Sequence, residues 1–406
     1  MPKANLIVGL DIGTSTIKIL IAERKEKEQN FEVISQTQEP SFGVRRGVVV
    51  DPEKVSRIIQ ILLNRIKTET GHKINSVYVN IGGAHICSTS SRGMVAVSRA
   101  DRNISKEDVE RVLEEAAKSL FLPSNNEILE ASPKEFIVDG VGDIKAVEGL
   151  QGGRLETEIL VLSNFIPFKN NLTQAVLDSG LQISDIVPSP LASSLSVLSQ
   201  RQKELGVALL DIGAGTSSLA VFEEGDLIHL TVFPIGSANI TQDIAVGLKT
   251  DIDVAERIKT EYGACVFKGN DKREKIEVEG EEPLVFSRKM LTKIIEARVS
   301  EIFDQCQKEL KKIGKLGLLP SGMVLTGGGA KLSKIVELAK KELKLPCRIG
   351  KPSDFSGLDD DPGFSTVCGL IIKGSGSEEG RVWQASGKSL SGVGDKVKKI
   401  FKIFIP

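Results

Sequence analysis

The sequence predicts a duplicated, two-lobed α/β protein with an inserted α/β subdomain and an amphipathic helix at its C-terminus. Three observations carry this. A strand–turn–strand unit opens the chain, Leu6-Ile-Val-Gly-Leu-Asp11 turning through Ile12-Gly-Thr-Ser15 into Thr16–Glu23. The pattern recurs about 200 residues later as Gly206-Val-Ala-Leu-Leu-Asp211, Ile212-Gly-Ala-Gly-Thr216 and Ser217–Phe222, a repeat on the scale of half a protein. A third strand, Gly322–Thr326, runs into the triplet Gly327-Gly-Gly329.

Between the repeats the pattern changes to helix. Asp51 is a plausible N-cap with Pro52 at the first helical position, and Val55, Ile58, Ile59, Leu62, Leu63 and Ile66 keep a 3.6-residue period to about Thr70. Ser105-Lys-Glu-Asp108 is a capping-box pattern ahead of Val109, Val112, Leu113 and Ala116. The rest of 84–162 reads as short strands broken by Gly and Pro, a separate insert. Further helices are expected over Ser189–Leu198, Glu256–Gly263, Arg288–Lys312 and Lys331–Leu343. From Lys373 to Lys388 the composition is that of a linker.

Composition narrows the function. The 406 residues carry 53 Lys plus Arg against 54 Asp plus Glu, so the chain as a whole is no polybasic nucleic-acid binder. Five scattered cysteines without a C-x-x-C pair, and three histidines, leave little for a structural zinc site and suit a reducing compartment. Asp11, Gly13 and Lys18 interrupt the first apolar stretch, so no ordinary signal peptide is read there, and no window is long and apolar enough to span a bilayer. The expectation is a cytoplasmic protein.

A turn such as Asp11–Ser15 lets backbone N–H groups approach a phosphate, Thr14 and Ser15 adding hydroxyls and Asp11 an oxygen for hydrated Mg2+. Asp211, Gly213, Gly215 and Thr216 offer the same set, with Asp211 as a weak organiser of water and metal. Each hairpin alone is equally compatible with a plain β-hairpin; two copies with a glycine loop point to a clamp on a triphosphate. Gly327, Gly328 and Gly329 would let an adenosine or its α-phosphate lie against backbone. No G-x-x-x-x-G-K-[ST] is present, and Ser218 stands where G-x-G-x-x-G would need its last glycine.

The paired D-x-G-x-x hairpins and the T-G-G-G loop, in this order, resemble the actin, sugar-kinase and heat-shock ATPase superfamily. That resemblance implies the actin-like two-lobe ATPase fold of duplicated ribonuclease H-like domains, with ATP and Mg2+ as cofactors. Lys18 stands where actin-like proteins carry a phosphate-contacting lysine, though a solvated strand residue fits equally. Ala255-Glu-Arg-Ile-Lys259 is similar to a family segment whose Glu and Lys reach the nucleoside; on sequence alone Glu256 and Lys259 read as an exposed helix pair.

Within the superfamily the chain is similar, over nearly its whole length, to the FtsA family of bacterial cell-division proteins, through Leu191–Leu198, Leu210–Thr216, Ile240–Ala245 and Glu256–Gly263. The resemblance implies a first core subdomain (1–83, 163–193, 355–372), the inserted subdomain (84–162), a second core (194–235, 318–354), and an outer subdomain (236–317) taking the C-terminal tail of FtsZ. It also implies filaments, later division proteins bound through the insert, and a peripheral location on the cytoplasmic face of the membrane at the division site. Arg288, Lys289, Lys293 and Arg298 make a basic helix for an acidic peptide, or a solvated face. Ser189 occupies the place of a carboxylate found in hydrolysing relatives, so binding with slow hydrolysis is expected.

After the linker come residues 389–406. Leu390, Val393, Val397, Ile400, Phe401 and Phe404 share one helical face, with Lys398, Lys399 and Lys402 opposite. This reads as an in-plane helix on an anionic membrane surface; a helix docked on its own domain is the alternative. Two other readings remain: an actin-like pilus or secretion scaffold, which needs no such tail, and a small-molecule kinase, for which no second carboxylate base stands out.

Overall fold

A computed structural model describes residues 6–24, 30–277 and 283–376. Leu6–Ile12 (β1) and Thr16–Arg24 (β2) form the first hairpin, and Phe31–Pro40 (β3) extends it antiparallel. Val44–Arg45 (β4) and Val48–Val49 (β5) make a small hairpin before Pro52–Thr70 (α1). The Asp51 carboxylate accepts from Lys54 N–H, and Gly71 ends the helix at φ 73°. Val55, Ile59, Leu62 and Ile66 are buried on the sheet. Ser76–Ile81 (β6) then lies parallel to β1.

The insert comprises Cys87–Ala96 (β7), Lys106–Lys118 (α2), Asn126–Val138 (β8), Val141–Ile144 (β9) and Arg154–Phe165 (β10). The capping box forms: the Ser105 hydroxyl accepts from Asp108 N–H, and the Asp108 carboxylate from Ser105 N–H. The short strands read from the sequence are instead long, of 10, 13 and 12 residues for β7, β8 and β10. Proline and glycine do not break them. Pro133 sits at a register shift between β8 and β10, where a bulge absorbs its missing donor. Gly93 lies beneath α2, where a Cβ would come within 2.4 Å of Val112 O.

Ile166–Asp178 (α3), Gln182–Pro188 (β11), Ser189–Val197 (α4) and Gln200–Leu205 (α5) lead to the second lobe. Val207–Ile212 (β12), Ser217–Glu223 (β13) and Asp226–Phe233 (β14) repeat the opening meander. Next come Ser237–Leu248 (α6), Ile252–Tyr262 (α7), Arg273–Ile276 (β15), Leu284–Ser287 (β16) and Arg288–Lys312 (α8). Met323–Thr326 (β17), Ile335–Leu343 (α9), Cys347–Ile349 (β18), Phe355–Ser356 (β19) and Ser365–Gly374 (α10) complete the described chain. Helix α9 begins later than the expected Lys331, which instead closes a 3-10 turn, Lys334 being left-handed at φ 61°. Helix α7 begins earlier than Glu256, because Asp251 caps it.

The repeat seen in two hairpins is a repeat of whole sheets. One sheet runs β11-β6-β1-β2-β3-β19; the other begins β18-β17-β12-β13-β14. In each, a three-stranded antiparallel meander carries two parallel strands on one side. The insert strands continue the second sheet past β14, through the pairing of Thr231 with Cys87. Leu10, Ile17, Ile19 and Val79 are buried in one core, and Leu210, Leu219, Ile258 and Phe303 in the other. Each such side chain contributes about 1.5–3 kcal/mol on burial.

Helix α10 packs on α4 so closely that a Cβ on Gly369 would lie 1.7 Å from Ala192 O. Lys373, read as the start of a linker, is inside this helix and only 4% exposed. Gly374 ends the helix and Ser375 caps it; residues 377–388 of that linker, and the terminal helix with Val393, Val397, Ile400, Phe401, Phe404 and its lysines, lie outside the described residues. Among the described residues no helix is long and apolar enough to cross a membrane.

Candidate functional site

A cleft of about 630 Å³ runs between the lobes, a volume suited to a cofactor-sized molecule. It is lined by Asp11, Gly13, Thr14, Ser15 and Lys18 from the first hairpin, Asp211, Gly213 and Thr216 from the second, Glu256 and Lys259 from α7, and Gly327, Gly328 and Gly329. Ser189 lines it too. Gly215 differs from the sequence-based expectation: it lies between the hairpins, where a Cβ would come within 2.8 Å of Thr14 Oγ1 and 3.0 Å of Arg46 Cα.

Both turns close in the same way. Gly13 N–H donates to Thr16 O at 3.1 Å and Gly213 N–H to Thr216 O at 2.9 Å. A Cβ at either glycine would crowd that same carbonyl, at 2.8 and 3.0 Å. Glycine is therefore required for closure of the turn itself.

The two aspartates are held by different side chains. Asn80, 4% exposed at the end of β6, donates to Asp11 Oδ1 at 2.8 Å and accepts from Ile12 N–H at 2.7 Å. Its amide also donates to Ser189 Oγ at 3.1 Å, and that hydroxyl donates to Ile81 O. Lys18 Nζ lies 3.3 Å from Asp11 Oδ2. Asp211 Oδ2 accepts from Ser193 Oγ at 2.6 Å and from Thr366 Oγ1 at 3.5 Å. Burial lifts the Asp211 carboxyl above its ordinary value, the Ser193 hydroxyl opposing and the negative charge of Asp11 adding to the rise. Two nearby carboxylates in a desolvated cleft suit a hydrated divalent cation.

Of the expected exposed pair, Glu256 is exposed and Lys259 is not. Lys259 is 7% exposed, and its Nζ donates to Thr241 Oγ1 at 2.8 Å, Glu256 Oε2 at 2.7 Å and Ser237 O at 3.3 Å. The third loop presses on the second hairpin: Gly327 has φ 82°, and a Cβ there would lie 2.3 Å from Asp211 Oδ1. At Gly329 a Cβ would meet Ile212 Cγ2 at 2.4 Å, whereas Gly328 has open space. Packing therefore accounts for the outer two glycines, and no protein atom constrains the middle one. The geometry fits a polyphosphate with a nucleoside.

Asn80 and Thr366 belong to no motif, and Ser193, though inside the segment Leu191–Leu198, had no role read for it. The available sign for Asn80 was a polar residue within an otherwise apolar strand, Val77–Ile81; Thr366 had none. The basic helix, α8, is only partly free. Arg288 Nε pairs with Glu274 at 2.7 Å, and Arg298 with Asp243 at 2.6 Å and Glu301 at 2.5 Å. Lys289 and Lys293 are exposed.

Duplicated sheets of this topology around a glycine-lined cleft define the actin-like class. The solved structures similar to it include a PilM–PilN type IV pilus biogenesis complex, with a TM-score of 0.65 at 17% identity over 91% of this chain and 98% of that one. Another is MreB5 of Spiroplasma citri bound to ADP, with a TM-score of 0.55 at 14% identity over 91% and 96%. The family model "Cell division protein FtsA" matches residues 208–369, and that of an SHS2 domain inserted in FtsA matches 83–163. Cell division protein FtsA of Pseudomonas aeruginosa is 37% identical over 393 residues, 95% of this chain and 93% of that one. Its counterpart in Borreliella burgdorferi is 36% identical, covering 91% and 90%. The chain belongs to the FtsA family of cell division proteins.

Proposed function

We propose that the protein binds ATP with Mg2+ in the interlobe cleft and tethers FtsZ to the cytoplasmic membrane, polymerising there and recruiting later division proteins. The observation that carries the nucleotide reading is the convergence of Asp11, Asp211 and the three glycine loops on one cleft. Asp11 and Asp211 would organise a hydrated Mg2+, the Thr14, Ser15 and Thr216 hydroxyls would receive phosphates, and Gly328 would admit the nucleoside. The cation would supply charge neutralisation. Asn80 fixes the Asp11 carboxylate, and Lys259 fixes Glu256 beside the site. Ser189 has no basicity at neutral pH, which supports slow hydrolysis and a nucleotide that joins the lobes.

Membrane attachment rests on the amphipathic pattern of 389–406, and a location at the division site on family membership. The FtsZ tail would dock on the outer subdomain, with Lys289 and Lys293 as its exposed cations. Self-association would follow a non-closing heterologous contact. Co-pelleting with anionic vesicles, with and without ATP, tests the tether against a chain stopped at Lys388. Pelleting of the full chain alone, with an FtsZ tail peptide joining it, supports the reading. Both chains remaining in solution at low salt would overturn the tether.

A further inference from the structure

We propose that Arg46 is a specificity residue of the cleft, contacting the terminal phosphate of a bound nucleoside triphosphate and so distinguishing ATP from ADP. The inference rests on the nucleotide reading of the cleft and names a group that reading does not include.

The first observation is the backbone. Arg46 and Gly47 form the turn between β4 and β5, with φ of 48° and 75°. Two successive positive φ values define the type I′ hairpin turn, whose first central position favours Asn, Asp or Gly. An arginine there is in the left-handed region without the small polar side chain that usually compensates it. The turn thus carries an arginine where its backbone favours a small residue, and the reason for it lies in the side chain's surroundings.

The second observation is position. Gly47 N–H donates to Thr14 Oγ1 at 2.9 Å, tying the turn to the first phosphate hairpin. On its other side the turn meets the second hairpin, since a Cβ on Gly215 would lie 3.0 Å from Arg46 Cα. The turn thus bridges the two hairpins beside the cleft, which Gly47 lines next to Arg46. Thr14 Oγ1 accepts that bond, so its own proton is left to donate toward the cleft.

The third observation is charge. The cleft lining holds five carboxylates, Asp11 and Asp211 at its base among them, against three lysines. Each lysine is paired with a carboxylate of the same lining: Lys18 with Asp11, Lys259 with Glu256, and Lys331 with Asp361 at 2.9 Å. A polyphosphate entering this lining needs cations beyond those groups. Arg45 and Arg46 are exposed, and among the described residues neither has an ion-pair partner. Arg46 is at the apex over the seam between the hairpins, whereas Arg45 is one residue back, in β4 opposite Val48. A planar guanidinium matches a terminal phosphate through paired hydrogen bonds.

The test is calorimetric titration of the full chain with Mg-ATP and with Mg-ADP, for the wild type, Arg46→Asn, Arg46→Lys and Arg45→Asn. Asparagine suits the turn, so Arg46→Asn keeps or raises the thermal midpoint while removing the charge. The expected result is a loss of about tenfold or more in ATP affinity for Arg46→Asn, with ADP affinity changed by less than about twofold. Arg46→Lys restores part of the loss, and Arg45→Asn leaves the ATP-to-ADP ratio as in the wild type. An unchanged ratio in Arg46→Asn overturns the proposal, as does an equal loss in Arg45→Asn, which would mean general electrostatics. A wild-type chain that binds neither nucleotide overturns the underlying reading of the cleft, and this inference with it.

Discussion

Asn80 and Asp11 are joined amide to carboxylate at 2.8 Å, while the same Asn80 side chain accepts the N–H of Ile12 at 2.7 Å. One side chain from the neighbouring parallel strand thus fixes both the carboxylate and the backbone of the first hairpin. Its third bond, to Ser189 Oγ, ties that hairpin to the start of α4.

Asn80→Ala removes all three bonds and leaves buried groups unpaired, each at about 1–3 kcal/mol. The expected loss is about 2–4 kcal/mol of stability by denaturant titration. Nucleotide affinity should fall about tenfold or more as Asp11 loses its orientation. Normal affinity in a destabilised variant would assign Asn80 a structural role only.

Ser189 lines the cleft with its hydroxyl engaged by Asn80 and Ile81. Ser189→Glu puts a base where the chain has none, and general base catalysis is worth about 10²–10⁴-fold. Single-turnover hydrolysis of ATP should therefore rise by about tenfold at least, the rest being lost to imperfect placement. No rise, with ATP affinity retained, would show that hydrolysis is limited by something other than the base at this position.

What was legible in the sequence is what is local. Strand, aspartate, glycine turn and returning strand fit within eighteen residues, so both hairpins could be read. Of the side chains that hold the aspartates, Asn80 comes from 69 residues away and Thr366 from 155, while Ser193 is 18 away on α4. Folding of the parallel strands brings in the first, packing of α10 the second, and the placing of α4 the third. The burial of Lys259 was hidden for a related reason: α6 supplies Thr241 and the Ser237 carbonyl, and neither is on its own helix. In the insert, Pro133 and Gly93 looked like strand breakers because a bulge and an overlying helix are tertiary facts.

The glycine triplet separates packing from binding. Gly327→Ala places a methyl 2.3 Å from Asp211 Oδ1 at φ 82°, so the variant should lose about 2 kcal/mol or more and bind nucleotide poorly. Gly328→Ala meets nothing within 4 Å. Its melting curve should match the wild type while adenine-nucleotide affinity drops several-fold. Unchanged affinity in that variant would remove the loop from the binding site.

Glu130 on β8, Asp185 on β11 and Lys373 at the end of α10 lie within electrostatic range of one another. They come from the insert, the edge of the first sheet and the last described helix. Burial pushes the Glu130 carboxyl from 4.5 up to about 7, Lys373 opposing and Asp185 adding to the rise. Burial likewise raises Asp185 and lowers Lys373. Between pH 4.5 and about 7 the folded chain holds a proton at Glu130 that the unfolded chain has lost. Stability therefore falls as pH rises through that window and levels off above it. Glu130→Gln cannot ionise, so its denaturant midpoint should fall less steeply over the same range. Above pH 7 the variant should be the more stable by about 1–3 kcal/mol, with the two chains alike near pH 4.5. Parallel curves would mean that Glu130 is charged in the folded chain throughout, with Lys373 outweighing its burial.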